Sequence, residues 1–206
     1  MKNIVAKIYN INRIINKSVY IIWNRLKFYI KGVKFGNNLK VFSQMYLDIA
    51  SNAQITIGHN FTFTSSDCIN PLCRNIKGCI VAYSNASITI GNDVGVSSPC
   101  IWAQKNITIG NYVNIGGDCI IMDSDAHSLN YIDRRIPIND KKNKKDASII
   151  IEDDVLIGAK CIILKGVTIG ARSVIGSGSV VTKSIPADCI AAGNPCKVIR
   201  YINKDV

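Results

Sequence analysis

Along this chain, aliphatic residues return at every sixth position. Ile151, Ile157, Ile163, Ile169, Ile175 and Val181 stand six apart without interruption, and a second register of small or medium side chains, Val155, Cys161, Val167, Ser173 and Ser179, runs four residues behind it. Gly158, Gly170 and Gly176 directly follow their isoleucines. The same unit appears upstream at Ile57-Gly58, Ile90-Gly91, Ile109-Gly110 and Ile115-Gly116, with Phe61, Val94, Val113 and Cys119 in the small-residue register. A period of six fits neither a helix nor a simple alternating strand. It predicts a short strand plus a corner, where glycine admits backbone angles closed to other residues. Three such units close a triangular coil, and stacked coils pair as parallel strands about 4.8 Å apart, with the two inward registers filling the prism. Cys119 and Cys161 fall on inward registers and so act as small core side chains.

Two segments escape the period. Residues 122–148 carry no sixfold register although it is clean on either side, and a loop of that length leaving a repeat stack usually serves function. Before the repeats, Ile4, Ile8, Ile11 and Ile15 recur at helical spacing, extended by Val19, Ile22, Trp23, Leu26 and Ile30, while Lys2, Lys7, Arg13 and Lys17 lie largely off that stripe. The expected division is a basic amphipathic helical segment over 1–35, an all-β solenoid over 36–190 with its excursion loop, and a closing segment over 191–206.

Composition agrees with a buried core: 206 residues are 48% hydrophobic, which suits one domain. The net charge of +11 suggests an anionic partner, but nine basic residues precede the first acid, Asp48, so the charge sits at the N-terminus. The remainder is close to neutral, which argues against a nucleic-acid surface on the main body. Eight cysteines without a signal-peptide pattern read as reduced and cytoplasmic. The longest uncharged stretch near the N-terminus, 18–24, is far too short for a bilayer, which needs roughly 20 apolar residues.

Two histidines alone limit the chemistry. A γ-class carbonic anhydrase, which uses the same prism, needs three on zinc, and His59 and His127 cannot supply them. Cys68, Cys73 and Cys79 lack zinc-binding spacing. The run Asp123-x-Asp125-x-His127 lacks the glycine and the distal glutamate of a calcium loop, and Gly176-Ser177-Gly178 is a corner rather than a dinucleotide fingerprint. No metal is expected. His59 sits at an ordinary corner, whereas His127 lies where the strand ending near Ile121 gives way to the excursion loop, so its ring can project from the prism wall.

The stretch from Ile109 to Arg200 resembles the hexapeptide-repeat acyltransferases, within them the maltose, galactoside and polysaccharide O-acetyltransferase group. The resemblance implies a left-handed parallel β-helix, a hand that the general rule for parallel crossovers does not give. It also implies that His127, nineteen residues after Thr108 in Thr108-Ile109-Gly110, is the catalytic base for acetyl transfer from acetyl-CoA to a saccharide hydroxyl. An imidazole suits that task near neutral pH and needs an acceptor on its other ring nitrogen. Asp125, Asp123 or a backbone carbonyl could supply it. Where galactoside-type relatives carry an asparagine for the acceptor, this chain has Gly95-Val96-Ser97-Ser98-Pro99, so Ser97 and Ser98 become acceptor candidates. By the same resemblance, Ala159, Ser177 and Thr182 touch the pantetheine arm, while Lys183, Lys197 and Arg200 meet the nucleotide phosphates, cations being their natural partners. A homotrimer is implied too, since a groove beside one prism is shallow. Amino-sugar N-acetylation and a silent β-helix scaffold are the competing readings.

The N-terminal segment admits two readings. Residues 1–31 hold seven basic side chains and no acid, so the stripe fits an interfacial helix touching the inner membrane leaflet. Alternatively the stripe packs on the open first coil and caps its strand edges.

Overall fold

In the computed structural model, the described residues are 17–65 and 70–202, and most of them build a three-faced prism of parallel strands. The first face stacks Lys34–Phe35, Gln54–Ile57, Ser87–Ile90, Asn106–Ile109, Ile149–Ile151 and Thr168–Ile169. The second begins at Lys40–Val41 and Thr62–Thr64 and ends at Val174–Ile175, Cys189–Ala192 and Lys197–Tyr201; the third runs from Tyr46–Ile49 to Val180–Val181. Together with the likeness to known folds reported below, this is a left-handed parallel β-helix.

The sixfold register becomes vertical stacks of side chains. Ile57, Ile90, Ile109, Ile151 and Ile169 pair in line on the first face. Ile80, Ile101, Ile121, Ile163 and Val181 do so on the third. Every one of them is buried. Cys119 and Cys161 lie fully inside, their thiols donating to the carbonyls of Gly158 and Gly176 at 3.1 and 3.2 Å.

The corners work differently from the sequence expectation. The glycine after each isoleucine does not take the left-handed conformation; the residue two positions later does, as at Asn60, Asp93, Tyr112, Lys160 and Arg172. The glycine is required by close approach instead. A Cβ on Gly158 would sit 2.5 Å from the backbone nitrogen of Ser177 in the next coil. Asparagine and aspartate tolerate the left-handed region, and the corner between the first two faces adds a ladder in which Asn92, Asn111 and Asp153 accept the N–H groups of His59, Asn92 and Asn111 in turn. His59 itself accepts the Asn37 N–H through Nδ1 at 3.0 Å.

Helix α1, over 17–30, lies across the open first coil. Its Asn24 donates to the carbonyls of Val41 and Ser43, both at 2.9 Å, and Lys27 donates to that of Met45 at 2.8 Å. Phe28 is completely buried. The cap is therefore made, but not by the expected stripe: Val19, Ile22, Trp23, Leu26 and Ile30 face outward. The stripe's earlier members, Ile4 to Ile15, fall outside the described residues. A further departure from the period, which the sequence did not announce, separates Thr62–Thr64 from Cys79–Ala82 and contains a short 3-10 turn at Pro71–Cys73. Buried Cys73 seals this segment against the corner, where a Cβ on Gly117 would meet its sulfur at 2.9 Å. Cys68 lies outside the described residues.

Candidate active site

The excursion loop leaves the third face after the strand Ile120–Met122 and returns to the first at Ile149. Its two legs are zipped together, with the Asp125 N–H donating to Lys145 O at 3.0 Å and the Ala147 N–H to Asp123 O at 2.9 Å. The Asp123 carboxylate, fully buried, accepts the N–H groups of Gln104, Lys105 and Asn106 at 2.7, 2.8 and 2.7 Å and so pins the loop to the corner of the preceding coil. Burial pushes its carboxyl above the usual range while those three amides pull it back. Asp125 pairs with Lys165 of the following coil at 3.4 Å. Neither aspartate is placed against a histidine nitrogen.

Between the legs the chain folds into two short helices, α2 (Tyr131–Arg134) and α3 (Pro137–Asn143). Asn130 caps α2 by accepting the Ile132 N–H at 3.0 Å, and Pro137 starts α3. Their packing brings Asp140, in the first turn of α3, back to His127, where Oδ2 lies 2.6 Å from the ring Nδ1. Its other oxygen accepts the Ser128 N–H at 2.7 Å. Ser128 is buried and central: its hydroxyl donates to Asp133 at 2.9 Å, and its carbonyl accepts from Arg134 Nη1 at 2.7 Å. Hydrogen bonds from His127 and then from the Ser128 amide hold the Asp140 carboxyl below the usual carboxylate range. An ionised carboxylate can only accept, so Nδ1 carries a proton, and in the neutral ring Nε2 is then the nitrogen that keeps the lone pair.

Asp140 thus sets the neutral tautomer of His127, whose side chain is 69% exposed. The orienting partner is Asp140, thirteen residues further on, and not the expected Asp125 or Asp123. Sequence reasoning missed it because no spacing rule links a loop histidine to an acid reached only after two helices fold back.

The other candidates lie at separate places on the prism. Ala159 and Ser177 stack at the corner between the second and third faces, in successive coils. Thr182 and Lys183 follow Val180–Val181 at the corner from which, two coils earlier, the loop departs. Lys197 and Arg200 stand exposed on the antiparallel strand that closes the second face. Within one chain the structure does not bring Ser97 and Ser98 to His127: they share the corner of Ala159, Ser97 accepts from Thr64 at 3.0 Å, and Ser98 is buried. Among the described residues, no three His, Cys, Asp or Glu side chains group to hold a metal ion, and no helix is long and apolar enough to cross a membrane.

Comparison with known proteins fits this architecture. Residues 148–183 match the family model described as the hexapeptide repeat of succinyl-transferase. The chain is 52% identical over 52 residues to the 2,3,4,5-tetrahydropyridine-2,6-dicarboxylate N-acetyltransferase of Staphylococcus aureus strain Newman, covering 25% of this chain and 22% of that one. It is 44% identical over 81 residues to a protein of S. aureus strain Mu50 named as an acetyltransferase, 39% of this chain and 38% of that one. The chain therefore spans well under half the length of these curated relatives. Among solved structures, a hexapeptide-repeat acetyltransferase of Vibrio cholerae O1 biovar eltor in complex with acetyl coenzyme A superposes with TM-score 0.52 at 25% identity, covering 88% of this chain and 78% of that one. The polySia-specific acetyltransferase NeuO does so with TM-score 0.53 at 26% identity, covering 85% and 90%.

Proposed function

We propose that this chain, a hexapeptide-repeat protein of the left-handed parallel β-helix class, is a cytoplasmic acetyltransferase that moves the acetyl group of acetyl-CoA to a hydroxyl of a saccharide. The observation that carries this reading is the exposed His127 ring, locked through Nδ1 by Asp140 at 2.6 Å and thereby presenting Nε2 as a base. Nε2 takes the proton of the acceptor hydroxyl as its oxygen attacks the thioester carbonyl carbon. The carbon–sulfur bond then breaks, and the proton passes from the imidazolium to the leaving thiolate, so that an acetyl ester and free coenzyme A result. Such a base contributes roughly 10² to 10⁴-fold in rate. The likeness to a protein solved with acetyl coenzyme A supports the donor, and the likeness to a polySia-specific enzyme supports a saccharide acceptor.

Ala159, Ser177 and Thr182 are proposed to line the pantetheine arm, and Lys183, Lys197 and Arg200 to meet its phosphates. His127 and the corner of Ala159 and Ser177 belong to different edges of one prism, so a cleft holding both takes its two walls from two copies. That division supports the homotrimer. With Ser98 buried, the acceptor-binding role proposed for this pair falls to Ser97.

Amino-group transfer is the second reading, favoured by the 52% identity to an N-acetyltransferase over a quarter of the chain. The chemistry of the product separates the two. A purified product whose acetyl group is released by mild alkali is an ester and supports O-transfer, whereas an alkali-stable acetyl group is an amide and overturns it.

A further inference from the structure

Helix α1 packs on the prism through Phe28 and two polar side chains and leaves most of its large apolar residues outside. Asn24 and Lys27 face the prism and bond to the edge carbonyls of the first coil. On the opposite side Val19, Ile22, Trp23, Leu26, Tyr29 and Ile30 form one row at helical spacing, each between 49% and 74% exposed. Six large apolar side chains on one helix face mark an interaction surface rather than scattered exposure. Arg25 on the helix and Lys31 and Lys34 just after it stand exposed, and nine basic residues precede the first acid of the chain.

The charge decides among occupants. A second copy of this face would bring like charges together, and a nucleic acid would satisfy the cations but leave the apolar row in water. A bilayer with anionic headgroups satisfies both, because an interfacial helix buries its apolar face roughly 5–10 Å deep while cations stay at headgroup level.

We infer that the outward face of helix α1 docks this protein on an anionic lipid surface. Because α1 lies across the end of the prism, docking stands the coils end-on, with the fourth coil, from which the His127 loop departs, about 14 Å beyond the first at the usual strand spacing. Docking itself needs nothing from the transfer reaction. Its value for reaching a lipid-linked saccharide is the one consequence that rests on the acetyltransferase reading.

The test is sedimentation of the full chain with vesicles. The protein is expected to pellet with phosphatidylglycerol/phosphatidylcholine vesicles, to bind pure phosphatidylcholine at least tenfold more weakly, and to be released as salt rises from about 0.1 to 0.5 M. Combining Ile22→Ser, Trp23→Ser and Ile30→Ser should weaken binding at least tenfold while leaving the oligomeric mass unchanged. Absence of binding to the anionic vesicles, or binding indifferent to the triple substitution, would overturn the inference. A change of mass in that variant would also overturn it, by assigning the face to contact between copies. Should the triple variant fail to fold, a Trp102→Phe protein keeps the question open to measurement, since Trp23 emission must then shift to the blue on adding the anionic vesicles, and an unshifted spectrum refutes docking.

Discussion

The pairing of His127 with Asp140 sets what one residue can be asked to do. Asp140→Ala leaves Nδ1 without its partner and frees the ring to take the wrong tautomer, so kcat should fall roughly tenfold to a hundredfold while KM for acetyl-CoA holds. Asp140→Glu should recover part of the loss, which a purely structural role would not require. The same carboxyl gives a pH signature. Its value is held low in the folded chain, by His127 first and the Ser128 amide second. The tether's contribution is therefore complete above the unfolded value near 4 and fades as pH falls through the lower folded value. The gap in urea midpoint between the wild type and Asp140→Asn should narrow as pH falls below about 4 and the carboxyl takes up its proton. His127 was singled out in the sequence by its place beyond a clean repeat together with the resemblance carried by Thr108-Ile109-Gly110 nineteen residues before it. Asp140 was not, since its approach depends on two helices hidden in a segment that had only a broken period to read.

At the scale of elements, the repeat itself was plain: a sixfold register is a direct statement of which side chains line up in neighbouring coils. Three details lay beyond it. The corner glycines answer to backbone approach from the next coil, a contact that no single coil contains. Within the segment between Thr64 and Cys79, buried Cys73 fills a corner, a contact that the Lys77-Gly78 pair at its end does not announce. Helix α1 caps the prism with Asn24, a residue that a hydrophobic stripe cannot nominate. The loop anchor is equally instructive, because Asp123, expected beside His127, serves the backbone of the preceding coil. Asp123→Ala would leave the N–H groups of Gln104, Lys105 and Asn106 in a buried corner without acceptors. Unfolding in urea should register a loss of about 3 kcal/mol, far above that of an ordinary surface substitution.

For the whole molecule, the proposed division of the site between the His127 edge and the corner of Ala159 and Ser177 would make assembly part of the chemistry. Light scattering is expected to give a mass three times the 22.6 kDa of the chain, and an active monomer would contradict the two-copy cleft. The hexapeptide prism and the loop are legible in the sequence, whereas which edges of the prism lie apart is set only by the folded coils. The most direct test of the central claim is coenzyme A thiol release from acetyl-CoA in the presence of a panel of saccharides, measured for the wild type and for His127→Ala. Release by the wild type, reduced at least about a hundredfold in the variant with its circular dichroism unchanged, is the expected result. Equal release by both proteins, or none from the wild type with any hydroxylated acceptor, would contradict the account.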